Sequence, residues 1–110
     1  MDALEVMLRK VSYRKGLELY KKLCAGDDDR DFKRCVKILF SDDFKDMVRA
    51  LVGLEAPHEL PYVETCLENI IYGIMDSAAR NGHKENVKYI GKVMKEYCAK
   101  ELGINIRESD

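Results

Sequence analysis

A chain of 110 residues with a formal net charge of −1 fits one compact domain and carries no general electrostatic pull toward nucleic acid or membrane. No run of about 18 apolar residues is present to span a bilayer, and Met1-Asp2 opens into an amphipathic pattern with acids where a signal peptide would be basic, so the sequence reads as cytoplasmic. Gln and Trp are absent while Lys and Glu are plentiful, the balance of a hyperthermophile or of an archaeal virus, although five Met and four Cys argue the other way.

The first helix is predicted from Asp2 to Ala25, with Asp2 as N-cap or first-turn acid and Gly26 at the stop. Leu4, Met7, Leu8 and Val11 form one apolar face, and Tyr13, Leu17, Tyr20 and Cys24 continue a stripe displaced around the helix. The displacement falls near Gly16, where a bend or local unwinding is expected. The acids of Asp27-Asp28-Asp29-Arg30-Asp31 do not make a calcium loop. An EF-hand starting at Asp27 needs Gly at position 32 and Glu at position 38, and the chain has Phe32 and Ile38. They cap the next helix instead. Phe32, Cys35, Val36 and Leu39 mark that short second helix. Ser41-Asp42-Asp43 caps a third that carries Phe44, Met47, Val48, Leu51 and Val52 and ends at Gly53 and Pro57.

Residues 54–60 read as a linker into the most apolar stretch of the chain, Pro61 to Ala79. There Val63, Cys66, Leu67, Ile70, Ile71, Ile74, Met75 and Ala78 recur at three- and four-residue spacing, so one broad face must be buried. Asn81-Gly82 stops this fourth helix. A fifth runs from Lys84 to Leu102 with Val87, Ile90, Met94, Tyr97 and Cys98 facing inward and Gly103 as its cap. Ile104 to Asp110 is a polar tail in which Ile104 and Ile106 alternate as in a strand. From Ala78 to Ile90 the chain resembles the helix–turn–helix core of an ankyrin repeat. The Thr-Pro-Leu-His element is replaced by Gly73-Ile74-Met75-Asp76 and no second copy follows, so no ankyrin function is carried over.

Residue types that carry chemistry are scattered. His58 lies in the linker and His83 in the hairpin turn, neither has a zinc-site partner at a telling spacing, and no Cys-x-x-Cys occurs. Glu64, Glu68 and Asp76 lie on one helix without the facing Glu-x-x-His or Glu-x-x-Glu pairs of a di-metal bundle, and read as a solvated acidic face. No glycine-rich loop cradles phosphate, and no serine has a telling histidine. No catalytic residue, metal or cofactor is expected, and the chain reads as non-enzymatic.

Interaction signals are stronger. Lys84, Lys88, Lys92 and Lys95 form a basic stripe along the fifth helix, expected to be exposed and free of acids across the bundle. It is a candidate anion or nucleic-acid face. Tyr62, Tyr72 and Tyr89 add amphipathic aromatic area of the kind interfaces use. Counting outward from Gly82 puts Gly73 opposite Gly91 and Cys66 opposite Cys98, predicting a close-packed hairpin and a local cysteine pair, with Cys24 and Cys35 as the second pair. In a reducing cytosol these thiols stay free, and in a hyperthermophile disulfides become credible.

The expected architecture is an all-α, compact five-helix bundle built on an antiparallel helical hairpin of helices four and five, with residues 1–103 as a single domain and 104–110 as a tail. The expected function is a small helical interaction module that self-associates as a homodimer or binds a protein partner. The alternative is a small nucleic-acid-binding protein using the lysine stripe. No membrane and no small-molecule substrate are expected among its partners.

Overall fold

The computed structural model describes residues 2–24 and 26–103. They form α1 (Ala3–Leu23), α2 (Arg30–Leu39), α3 (Asp42–Glu55), a 3-10 segment (Pro57–Tyr62), α4 (Val63–Arg80) and α5 (Lys84–Leu102), with no strand among them. The predicted tail with Ile104 and Ile106 lies outside the described residues. No helix among those described is long and apolar enough to cross a membrane.

Short polar side chains set where the helices begin. Asp2 accepts the N–H of Glu5 at 2.8 Å, Asp29 those of Asp31 and Phe32 at 2.9 and 3.1 Å, and Ser41 that of Phe44 at 3.3 Å. Each such cap contributes about 1 kcal/mol by satisfying an amide that has no partner inside its helix. At the other ends, Gly82 and Gly103 adopt left-handed φ angles of 73° and 69° after α4 and α5. The third helix runs through Gly53 to Glu55, and the expected linker is a 3-10 turn that delivers the chain to α4 at Val63.

The start of α5 is capped from far away in the sequence. His83 makes no side-chain cap. Asp27, in the α1–α2 loop, reaches across instead: Oδ1 accepts the Asn86 N–H at 2.9 Å and Oδ2 the Glu85 N–H at 3.2 Å. Burial raises the Asp27 carboxyl, but the amides of Asn86, Glu85 and Asp28 and the nearby His83 outweigh it and hold the group below its ordinary value. Beside this cap Asn86 is fully buried. Its Nδ2 donates to the Tyr20 hydroxyl at 2.7 Å, to Cys24 Sγ at 3.2 Å and to the Gly26 carbonyl at 3.2 Å, while its Oδ1 accepts the Asp29 N–H at 3.4 Å. The Tyr20 hydroxyl also meets His83 Nδ1 at 2.5 Å. One polar knot thus ties the end of α1, the loop after it and the α4–α5 turn.

Around that knot lies the core, formed by Tyr20 of α1, Phe32, Val36 and Leu39 of α2, Ile71, Ile74 and Ala78 of α4, and Ile90 and Val93 of α5. Tyr20 and Phe32 meet edge to face with ring centroids 5.3 Å apart. Of the broad stripe read on the fourth helix, Val63, Leu67, Ile71, Ile74 and Ala78 are buried and Cys66, Ile70 and Met75 half-buried, and α4 and α5 form the hairpin.

The closest packing is elsewhere. The principal neighbour of α4 is α1. Asp2 accepts a bond from Tyr62 at 2.6 Å, Tyr13 donates to Asp76 at 2.5 Å and Tyr20 meets His83, so the two helices run in the same direction. Between these bonds Gly16 rests on Gly73. A Cβ added to Gly16 would lie 2.0 Å from the Ile70 carbonyl oxygen, and one added to Gly73 would lie 2.2 Å from that of Tyr13. Ser12 and Ser77, one turn from each glycine, are also buried. Small residues therefore let the two backbones touch. This corrects two expectations. Gly16 does not unwind the helix, because α1 is continuous from Ala3 to Leu23. Gly73 faces α1 and not Gly91, whose added Cβ would meet nothing within 4 Å.

Candidate interaction groove

α1 carries two apolar stripes, but only one of them packs closely, against α4. Ser12, Gly16 and Tyr20 turn toward the bundle, whereas Leu8 turns about a quarter of the way round, toward α3. α1 and α3 both rest on α4 and leave an apolar cleft of about 270 Å³ between them. Val63, Cys66, Leu67 and Ile70 of α4 make its floor. Phe44, Val48 and Val52 of α3 make one wall, Leu8 of α1 the other, and Glu59 of the 3-10 segment places a half-buried carboxylate in the lining.

The set of α3 explains why the cleft stays open. None of its residues is fully buried. Its anchors are polar: Lys45 donates to the Tyr97 hydroxyl and lies over that ring, and Arg49 pairs with Glu64 of α4. With Lys45 and Arg49 on the side of α3 that faces Tyr97 and Glu64, the helical period carries Met47, Leu51 and Leu54 outward, and these are 52, 54 and 81% exposed. Across the cleft Met7 and Val11 of α1 are 53 and 47% exposed. A groove with apolar rims on both sides is what helix-in-groove recognition requires. Periodicity puts Leu4, Met7, Leu8 and Val11 on one apolar face and Phe44, Met47, Val48, Leu51 and Val52 on the third helix, without saying what either meets. The available signal was their excess: α1 has two stripes for one core contact.

The lysine stripe is where the sequence put it. Lys84, Lys88, Lys92 and Lys95 are exposed. Lys88 approaches Glu85 of its own helix at 3.5 Å, and Glu64 of α4 pairs with Arg49 of α3. α2 brings Lys33 to this side, 5.4 Å from the centre of the Tyr89 ring. Lys33, Lys88, Lys92 and Tyr89 line an open cleft of about 200 Å³ together with Asp28 and Glu85. Lys33 pairs with Asp28, which raises its ammonium above the usual lysine value.

The three tyrosines occupy separate neighbourhoods. Tyr62 is held by Asp2, Tyr89 lies beside α2, and Tyr72 is 43% exposed on a cleft with Met94, Tyr97 and Cys98. The cysteines do not pair. All four are free thiols: Cys66 lines the α1–α3 groove and Cys98 is exposed on the cleft near Tyr72, so the two do not face one another. Cys24 donates to the Gly26 carbonyl at 2.7 Å, and burial pushes the Cys35 thiol up. Cys98 also corrects the expectation that it faces inward. The reason is the one that misplaced Gly91: α4 is shared with α1, so α5 does not lie along it with residues in mirror register about Gly82. His83, in the hairpin turn, is a half-buried member of the Tyr20 knot.

Among the described residues no three His, Cys, Asp or Glu side chains are grouped to hold a metal ion. No protein-family model matches the chain, and searches of curated proteins and of solved structures find no match.

Proposed function

We propose that this chain is a non-enzymatic interaction module that receives an apolar helix face in the groove between α1 and α3. The observation that carries the reading is α3, a helix with an apolar side but no buried residue, standing beside a groove that a neighbouring helix would ordinarily fill. The rims account for five large apolar side chains that a monomer has no use for. Photo-crosslinking in the native host tests it. A benzophenone amino acid at Met47 is expected to give protein adducts, and one at Lys88 none. Adducts through Lys88 alone would overturn the reading.

A second reading is favoured by one observation: α2 adds Lys33 to the α5 stripe beside the ring of Tyr89, giving a basic face with an aromatic member. Against it, Asp28 and Glu85 share the same cleft. If three lysines contact phosphates, the logarithm of the binding constant falls against that of salt with a slope of roughly −2 to −3. Absence of DNA and RNA binding at about 50 mM salt removes this reading.

A further inference from the structure

We infer that the occupant of the groove is a second copy of this chain, placed by a two-fold axis that lays α3 of each copy between α1 and α3 of the other. The inference rests on the reading of the groove as an interaction site. A two-fold interface must be complementary to itself, and this face holds both halves of such a contact. Phe44, Val48 and Val52 line the groove from one side of α3, and Met47, Leu51 and Leu54 form a ridge on the adjoining side of the same helix. The ridge has the i, i+4, i+7 spacing by which grooves read helices.

Charge is arranged to match. The outer flank of α3 carries Asp43 and Asp46, and the outer flank of α1 carries Lys10 and Arg14, all four exposed. Seating α3 in the groove of the second copy carries its acids over the basic flank of that copy's α1. An unrelated amphipathic helix would satisfy the groove but would leave the ridge uncovered. The second copy covers both.

The area is also sufficient. Met7, Val11, Met47, Leu51 and Leu54 expose between 47 and 81% of their surface. Together they leave on the order of 500 Å² of apolar area, the upper end for the largest patch on a monomer. A stable dimer covers roughly 800 Å² per partner, so the polar flanks of α1 and α3 would supply the remainder.

Sedimentation equilibrium on the purified full chain, from about 1 to about 500 µM, is expected to show a monomer–dimer equilibrium. Leu51→Asp is expected to weaken it by roughly 100-fold or more while the far-UV circular dichroism stays unchanged, because Leu51 is outside the core. Asp46→Lys is expected to weaken it by about tenfold, and Lys10→Glu added to that variant to restore it. A chain that is monomeric throughout overturns the proposal, and so does a dimer indifferent to Leu51→Asp. A double variant that fails to recover overturns the two-fold arrangement assigned here. A monomeric purified chain that still forms adducts through Met47 with another protein in the host removes the second copy as occupant and leaves the groove as the interaction site.

Discussion

Adding one methyl group has opposite consequences at different helical glycines of this chain. At Gly16 or Gly73 it would strike backbone of the facing helix, and backbone has no rotamer by which to yield. Gly16→Ala and Gly73→Ala are therefore expected to cost roughly 3 kcal/mol or more, read by urea melts. At Gly91 the methyl would meet open space, and Gly91→Ala is expected to gain up to about 1 kcal/mol from helix propensity. Counting residues outward from the turn paired the wrong glycines, because the count supposes that α5 is the nearest neighbour of α4. The polar knot makes its own prediction. Burial, aided by Cys24 and partly opposed by the Asn86 donor, pushes the Tyr20 phenol up to about 12 from an ordinary value near 10. The folded state then holds the proton more tightly than the unfolded one, so this contribution is complete below about pH 10 and is lost as pH rises toward about 12. Asp27 behaves oppositely: its lowered carboxyl stabilises above the ordinary carboxylate range, and that contribution is lost as pH falls through the lowered value. Tyr20→Phe is expected to flatten the alkaline limb of a pH–stability curve and Asp27→Asn the acid limb.

At the level of the helix, most boundaries were legible because the caps are local chemistry: Asp2, Ser41, Gly82 and Gly103 act within a turn or two of where they stand. The cap of α5 was not, since Asp27 comes from a loop nearly sixty positions away. The groove was invisible for a different reason. Periodicity tells that Leu8, Phe44, Val48 and Met47 share apolar faces, but it does not tell a face that meets a helix of the same molecule from one left open. α3 shows the distinction physically, being anchored at Lys45 and Arg49 and contributing no fully buried side chain. Its amides are expected to exchange with solvent faster than those of α1 and α4, by a margin that hydrogen-exchange mass spectrometry resolves. If dimerisation covers α3, the margin narrows as protein concentration rises. Equal protection of α3 and α4 at low concentration would show that the polar anchors hold it as firmly as a core contact.

For the whole molecule, the lysine face and the apolar groove lie on different elements, α5 with α2 in one case and α1 with α3 in the other, so charge reversal at Lys88 is expected to leave self-association unchanged. The contact between Gly16 and Gly73 has a consequence for how the chain comes to be folded at all. Helices that lie side by side in the same direction cannot be joined by a tight turn, and here α2, α3 and the 3-10 segment fill the return path. Closing so long a loop costs more entropy than closing the three-residue α4–α5 turn, by about 0.6 kcal/mol for each doubling of length. The α4–α5 hairpin is thus the natural early event and the docking of α1 a late one. During synthesis α1 leaves the ribosome first, yet its small-residue seam has nothing to lie against until α4 has followed it. For that interval the N-terminal half of the chain is a set of helices still waiting for the element that will hold them together.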